Sequence, residues 1–426
     1  MAKDEITSQN IDWLNGIAVF IDDEIDDETS NAYKLKQQID DKKIPVLTRL
    51  DLPDDVDTFA NHIHDASFVI VDWKFSNLGE EITTAGGRVP EAVKEKDEEA
   101  IINFIRQLLT NTYCPIFIFS NEETSDIKRS LISAGITNIE QHPRIFIAAK
   151  TDLLDGKLFD EINRWFTKNP IVYTLKTWDT VAKKAKKQIF TDLENKHISW
   201  PLVLWKSFKS DGGVPSIELS QILSALFSNT VIHSCNFDEQ YLNTDNAMPP
   251  DQQDIRKVLE GTRFVSLDIA TKPAPGDLFG ATDSKGNWTY YVNIRAQCST
   301  LREAKPCLYC VSGKEVTNER LSTNEISFKN GELLSKKHFI YVPFVHGNRI
   351  LEFDCRKFLI LRYKPSTATV ETVANSPVNC QIIASRIGRI LPPYITNIQQ
   401  TLSSFIVREG VPAIPEEAIT PTEQKD

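Results

Sequence analysis

The sequence predicts an α/β fold: a doubly wound five-stranded parallel sheet, then a helical segment, then a small mostly-β C-terminal domain with closing helices. Three observations predict it. Over residues 14–170, short apolar runs alternate with helix-length periodic segments, the pattern of strands joined by crossover helices. Residues 171–233 then read as helical. From residue 263 the texture changes to short β-rich runs separated by turn residues.

The elements follow in order. "IAVFI" (17–21) predicts the first strand, "AYKLKQQIDD" (32–41) a helix and "IPVLTRL" (44–50) the second strand. "SFVIVDW" (67–73) predicts the third strand. "AIINFIRQLLT" (100–110) has apolar residues at helical spacing. "CPIFIFS" (114–120) is the fourth strand, and "SDIKRSLISAG" (125–135) a helix whose glycine suits a C-cap. "RIFIAAK" (144–150) is the fifth strand and "KLFDEINRWFTKN" (157–169) an amphipathic helix. The charged, glycine-containing stretch 74–99 predicts a long exposed loop. Residues 234–262 read as a linker. The domain at 263–410 contains strands near "RFVSLDI", "WTYYVNIRAQ", "KPCLYCVS", "HFIYVPFV", "ILEFDC" and "KFLILRY", forming an antiparallel barrel or sandwich. Residues 380–407 read as closing helices broken by Pro392 and Pro393, and 411–426 as a disordered tail.

The chain has 426 residues, 41% hydrophobic and 25% charged, an ordinary composition for a water-exposed protein with more than one core. A net charge of -11 argues against broad binding to nucleic acid or anionic membrane, while leaving room for a local basic patch. The polar N-terminus lacks the pattern of a secretory signal, and no apolar run reaches the ~20 residues needed to span a bilayer. The expectation is a cytoplasmic protein with no membrane partner. Seven irregularly spaced cysteines do not form a disulfide framework.

In a parallel α/β sheet, functional groups collect beyond the carboxyl ends of the strands. The first strand ends on Asp22 and Asp23, the third on Asp72, the fourth on Ser120 and the fifth on Lys150. Adjacent carboxylates repel unless water, a cation or a basic side chain compensates them. Three carboxylates suit a hard oxygen-ligated cation such as Mg²⁺. Asp72 is then a nucleophile toward phosphorus, with Ser120 and Lys150 stabilising the phosphoryl oxygens. Taken singly, each residue also has a plain structural reading: a helix N-cap, a strand-end turn or a surface lysine.

The order "FIDDE", "FVIVDW", "FIFS", "FIAAK" resembles the receiver domain of two-component response regulators, over about residues 14–170. The resemblance implies a flavodoxin-like fold with Asp72 as phospho-acceptor. It implies Mg²⁺ held by Asp22, Asp23, Asp72 and the backbone carbonyl of Lys74. Ser120 becomes the switch hydroxyl and Lys150 the phosphate-binding lysine. The implied partners are a histidine kinase or phosphotransfer protein and an effector protein, with no specific nucleic acid. No chemistry beyond gain and loss of the aspartyl phosphate is implied. The sequence departs from the family pattern at Thr151, where proline is usual, and at Ile147, where an aromatic switch residue is usual. Lys74 and Glu122 occupy positions where a lysine and a glutamate could pair and shield the phosphate. "PGDLF", "YYVNIRAQC" and "LPPYITNIQQTLSSFIVREGVP" resemble a module that accompanies receiver-like proteins in bacterial anti-phage loci. That resemblance implies a relay or phosphate sink in a Detocs-like phosphorelay.

The alternatives are a degenerate pseudo-receiver scaffold that takes no phosphate, a haloacid-dehalogenase-like phosphatase, and a C-terminal nuclease using Asp277 and Asp354. The phosphatase needs a D-x-D pattern that "DDE" does not give. "CLYC" (307–310) has the spacing of half a zinc knuckle, but no second such pair follows, and buried cysteines in a β core are the favoured explanation. Lysines 183, 184, 186 and 187 read as a solvated helix face.

Overall fold

The computed structural model describes residues 14–75, 91–139, 142–242, 250–303, 305–322, 326–329, 332–334, 338–373 and 381–407. The chain divides into two compact units, Met1–Trp200 with Ile222–Ala247 and Pro201–Gln221 with Met248–Asp426.

In the first unit the five apolar runs form strands β1 (Ala18–Ile21), β2 (Val46–Arg49), β3 (Phe68–Val71), β4 (Ile116–Ser120) and β5 (Ile145–Ala149). They pair in the order β2-β1-β3-β4-β5, all parallel. The intervening helices are α1 (Asn31–Asp41), α2 (Val56–His62), α3 (Glu91–Asn111), α4 (Thr124–Ser133) and α5 (Leu158–Thr167). Strand pleating sends alternate residues to opposite faces. Val19, Ile21, Val69, Val71, Ile116 and Ile118 meet Ala60 of α2, Phe104 and Leu108 of α3 and Ile127 of α4. Ala18, Phe20, Phe68, Ile70, Phe117 and Phe119 meet Leu35 and Ile39 of α1 and Ile162 and Phe166 of α5. The sheet is therefore covered on both faces, as its continuous apolar strands require.

Part of the expected 74–99 loop is helical: α3 begins at Glu91, nine residues before the apolar stripe, and residues 76–90 lie outside the described set. The charged start of α3 carries no periodic apolar signal, so only the sheet-facing half was legible. Gly135 follows α4 with φ +84°, the left-handed geometry that lets glycine close a helix. After α5 in the chain come α6 (Pro170–Lys196), α7 (Trp200–Ser210), α8 (Pro215–Ser234) and α9 (Glu239–Leu242); α6 and α9 belong to the first unit, α7 from Pro201 to the second, and α8 is divided between them at Ile222. Lys184, Lys186 and Lys187 of α6 are exposed, and Lys183 pairs with Asp179 at 2.9 Å.

In the second unit, α10 (Gln252–Gly261) falls inside the stretch read as linker. Asp251 caps it by accepting from the Asp254 backbone N–H at 2.8 Å. Ile255, Val258 and Leu259 supply its apolar stripe, a signal hidden among polar neighbours.

The strands that follow are β6 (Phe264–Val265), β7 (Asp277–Thr282), β8 (Trp288–Asn293), β9 (Cys307–Glu315), β10 (Ser327–Lys329), β11 (Glu332–Leu334), β12 (Phe339–Val345), β13 (Arg349–Lys364), β14 (Thr369–Thr372) and β15 (Ile383–Ile390). Short helices α11 (Gln297–Leu301) and α12 (Asn318–Ser322) interrupt them. The antiparallel path β13-β14-β15-β7-β8-β9 closes on itself, because β9 also pairs with β13. Phe279, Tyr291, Leu308, Cys310, Leu361, Tyr363, Val370 and Ala384, drawn from every strand of the ring, fill one core cluster. The expected helix over 380–390 is instead strand β15, and the closing helix α13 starts at Tyr394 after the two prolines. Alternation of Ala384, buried, with exposed Ile383 and Ser385 is the β period that the helical reading missed. The segment 411–426 lies outside the described residues.

Candidate metal centre at the carboxyl edge of the parallel sheet

Asp22 and Asp72 each sit one residue past a strand yet remain in the ladder. The Asp22 backbone N–H donates to the Arg49 carbonyl at 2.9 Å, and that of Asp72 to the Ile21 carbonyl at 3.0 Å. With Ile21 opposite Val71 in the β1–β3 register, the two aspartates emerge side by side. The loop after β1 is shaped by Ser30, whose hydroxyl donates to the Glu24 carbonyl at 2.7 Å and accepts from the Tyr33 backbone N–H at 3.0 Å, starting α1.

Lys150 follows β5, and its stem reaches across β4. Its Nζ lies 2.7 Å from both Asp22 Oδ2 and Asp72 Oδ2, and its side chain is fully buried. The approach to Asp72 is a well-formed hydrogen bond, whereas Asp22 Oδ2 is buried without a well-directed donor. The contact to Asp22 is therefore best described as an ion pair. The other oxygens are fixed by backbone: Trp73 N–H donates to Asp72 Oδ1 at 2.7 Å and Glu24 N–H to Asp22 Oδ1 at 3.1 Å. Burial, and then the nearby charge of Asp72, pushes the Asp22 carboxyl up to about 6 despite Lys150. Burial also raises Asp72 against the pull of Lys150. Burial works to lower the Lys150 ammonium, but the charges of Asp72 and Asp22 outweigh it and hold the group above its usual range.

One oxygen each from Asp22, Asp23 and Asp72 lie within 4.8 Å of one another. Lys150 offsets one of the two buried carboxylates, Asp22 and Asp72, and a divalent cation would compensate the charge that remains. The all-oxygen donor set and the poorly satisfied Asp22 Oδ2 fit a hard cation. Ser120, buried at the end of β4, accepts from the Glu122 N–H through its hydroxyl at 3.2 Å. Lys74 and Glu122 do pair, at 2.9 Å, between the loops after β3 and β4. Ile147 is half-buried on β5, and Lys150 opens a 3₁₀ turn (Lys150–Leu153).

The other sequence candidates do not converge. Cys307 and Cys310 stand three apart on β9, so the pleat sends them to opposite faces, and no cysteine cluster able to hold a metal occurs among the described residues. Asp277 is buried between Arg386 and Arg389, at 3.4 and 2.6 Å, and Asp354 pairs with Arg356 at 2.8 Å. Sequence reasoning missed Lys176 of α6, which is buried and donates to the Ser67 carbonyl and hydroxyl at 2.9 and 3.0 Å below β3. A lysine in a polar helix gives no sequence signal of burial.

Fold and site together define a class: a five-stranded parallel α/β domain with an acidic cluster at its carboxyl edge, compatible with a receiver-like fold. No protein-family model matches the sequence, and no curated protein matches it. No helix among the described residues is long and apolar enough to cross a membrane.

Proposed function

We propose that the first unit is a receiver that accepts a phosphoryl group on Asp72 from a phosphohistidine of a kinase or phosphotransfer protein. The observation that carries this reading is the convergence of Asp22, Asp23 and Asp72 with Lys150 at the ends of three separate strands. Asp22, Asp23 and Asp72 would hold Mg²⁺, with the Lys74 carbonyl as a further ligand. When bound, the cation screens charge as the anionic phosphoryl group approaches. An Asp72 carboxylate oxygen attacks phosphorus while the bond to the donor nitrogen breaks. Lys150 would hold a phosphoryl oxygen, and Ser120 would donate to another after giving up its contact with Glu122 N–H.

Ile147 in place of an aromatic favours a receiver that stores phosphate without the usual rotameric signal. This supports the phosphate-sink role in an anti-phage phosphorelay. The second reading is a pseudo-receiver scaffold, favoured by the Lys150 ammonium already lying against both aspartates. Intact mass after incubation with acetyl phosphate and Mg²⁺, together with Mg²⁺ titration of Trp73 fluorescence, separates the two. The receiver predicts a metal-dependent gain of one phosphoryl group, absent in Asp72→Ala. No adduct and no Mg²⁺ response would sink the receiver reading and leave the scaffold.

A further inference from the structure

Charge is divided unevenly along the chain. Residues 263–407 carry 18 Lys+Arg against 11 Asp+Glu, a net of +7 within a total of -11. The stretch that carries the barrel is thus basic in an acidic protein. On its β9–β13 seam, Leu308, Cys310, Leu361 and Tyr363 fill the interior. The pleat sends Tyr309 and Ile360, which are direct register partners, to the other face. Phe358 stands two residues before Ile360, with its ring centroid 5.8 Å from that of Tyr309. These three side chains are 38%, 41% and 48% exposed, where an open strand face would ordinarily be polar. The Arg295 guanidinium stacks 5.0 Å from the Tyr309 ring and is itself held by Glu303, which braces the ring in place. Arg362, two residues past Ile360, keeps the pleat phase of the patch, Lys357 is exposed next to Phe358 at the register shift, and neither forms an ion pair among the described residues.

We propose that this outer face of the barrel binds a single-stranded polynucleotide, with Tyr309 and Phe358 stacking on bases and Lys357 and Arg362 meeting phosphates. Exposed aromatic rings on a basic β surface are sequence-tolerant platforms, since every base offers a π face. A duplex hides those faces, so the site favours single strands. Charge complementarity selects a polyanion over a neutral apolar partner.

The test is fluorescence anisotropy of a fluorescein-labelled 20-mer of thymidine, and of the matching duplex, with the full chain at two salt concentrations. The single strand should bind more tightly than the duplex and weaken with salt. Tyr309→Ala and Phe358→Ala should each weaken binding about tenfold. Lys357→Ala with Arg362→Ala should reduce the salt slope by about one per side chain. Tyr309, Lys357 and Phe358 are exposed and Arg362 is half-buried, and unchanged circular dichroism confirms folding. No binding at about 100 µM protein, the weak end of non-specific affinity, would overturn the proposal. So would binding indifferent to both ring substitutions. Ring-dependent self-association without oligonucleotide binding would assign the face to a second copy of the chain and equally overturn it.

Discussion

Replacing Lys150 with methionine removes the ammonium that touches both buried aspartates while keeping much of the stem's volume. Asp22 is 0% and Asp72 5% exposed, so neither charge can be handed to bulk water. Breaking a buried ion pair by deleting one partner costs about 3–5 kcal/mol. Coulomb repulsion between two carboxylates gives a similar figure: at the 4.8 Å limit of the cluster and an effective dielectric of ~20 it is about 3–4 kcal/mol. Urea unfolding at pH 7.5 in EDTA, followed by tryptophan fluorescence, should show a loss of that size. Mg²⁺ at about 100 times its dissociation constant should return about 2.7 kcal/mol, because it binds the folded site alone. Protonation should also relieve the variant. With Lys150 in place, burial and Asp72 push the Asp22 carboxyl up to about 6 from an ordinary 3.8, and removing Lys150, which pulls it down, raises it further. A raised carboxyl contributes stability that is present at low pH and lost as pH rises through its folded value, so the variant gains more than the parent on acidification and its deficit should shrink at pH 5. A variant within about 0.5 kcal/mol of wild type in EDTA would refute the buried-triad reasoning.

Lys176 offers a pH test at the opposite edge of the sheet: burial first of all, and Lys183 as well, lowers its ammonium to about 8 despite Asp179. A depressed folded value means that stability rises as pH climbs from ~8 to ~10.5, by about 3 kcal/mol, and Lys176→Met should flatten that rise in urea melts. Removing the exposed Lys74–Glu122 pair by Glu122→Ala should leave stability within about 1 kcal/mol but shorten the lifetime of the aspartyl phosphate, read as loss of the phosphorylated mass with time. Gly313→Ala would put a Cβ 2.6 Å from the Phe353 ring and 2.7 Å from the Glu352 carbonyl on the β9–β13 seam. It should destabilise the barrel by about 1–3 kcal/mol in thermal unfolding while leaving acetyl-phosphate labelling of Asp72 intact.

The first unit was legible because its strands are buried on both faces and so read as unbroken apolar runs, from "IAVFI" to "RIFIAAK". Strand ends then placed Asp22, Asp72, Ser120 and Lys150 on one edge without any knowledge of pairing. That Lys150 bridges Asp22 and Asp72 was not legible, since it depends on a long side chain reaching across β4. The barrel was harder to read. Its closure needs β9 to meet β13, about 45 residues away, and no local pattern encodes that pairing. "ILEFDC" and "KFLILRY" are one sixteen-residue strand whose register shifts between Phe353 and Phe358, an irregularity that looked like a break. Ile383–Ile390 was misread because its apolar residues also satisfy a helical spacing.

The account rests on Asp72 as the atom that takes the phosphoryl group. The most direct measurement is borohydride reduction of the acetyl-phosphate-treated chain in Mg²⁺, followed by peptide mass mapping, because reduction converts an aspartyl phosphate to homoserine at the modified position. The account predicts homoserine at position 72 and nowhere else, and none when Mg²⁺ is replaced by EDTA. Homoserine at another position, or an unmodified position 72 in a chain shown to bind Mg²⁺, would contradict it.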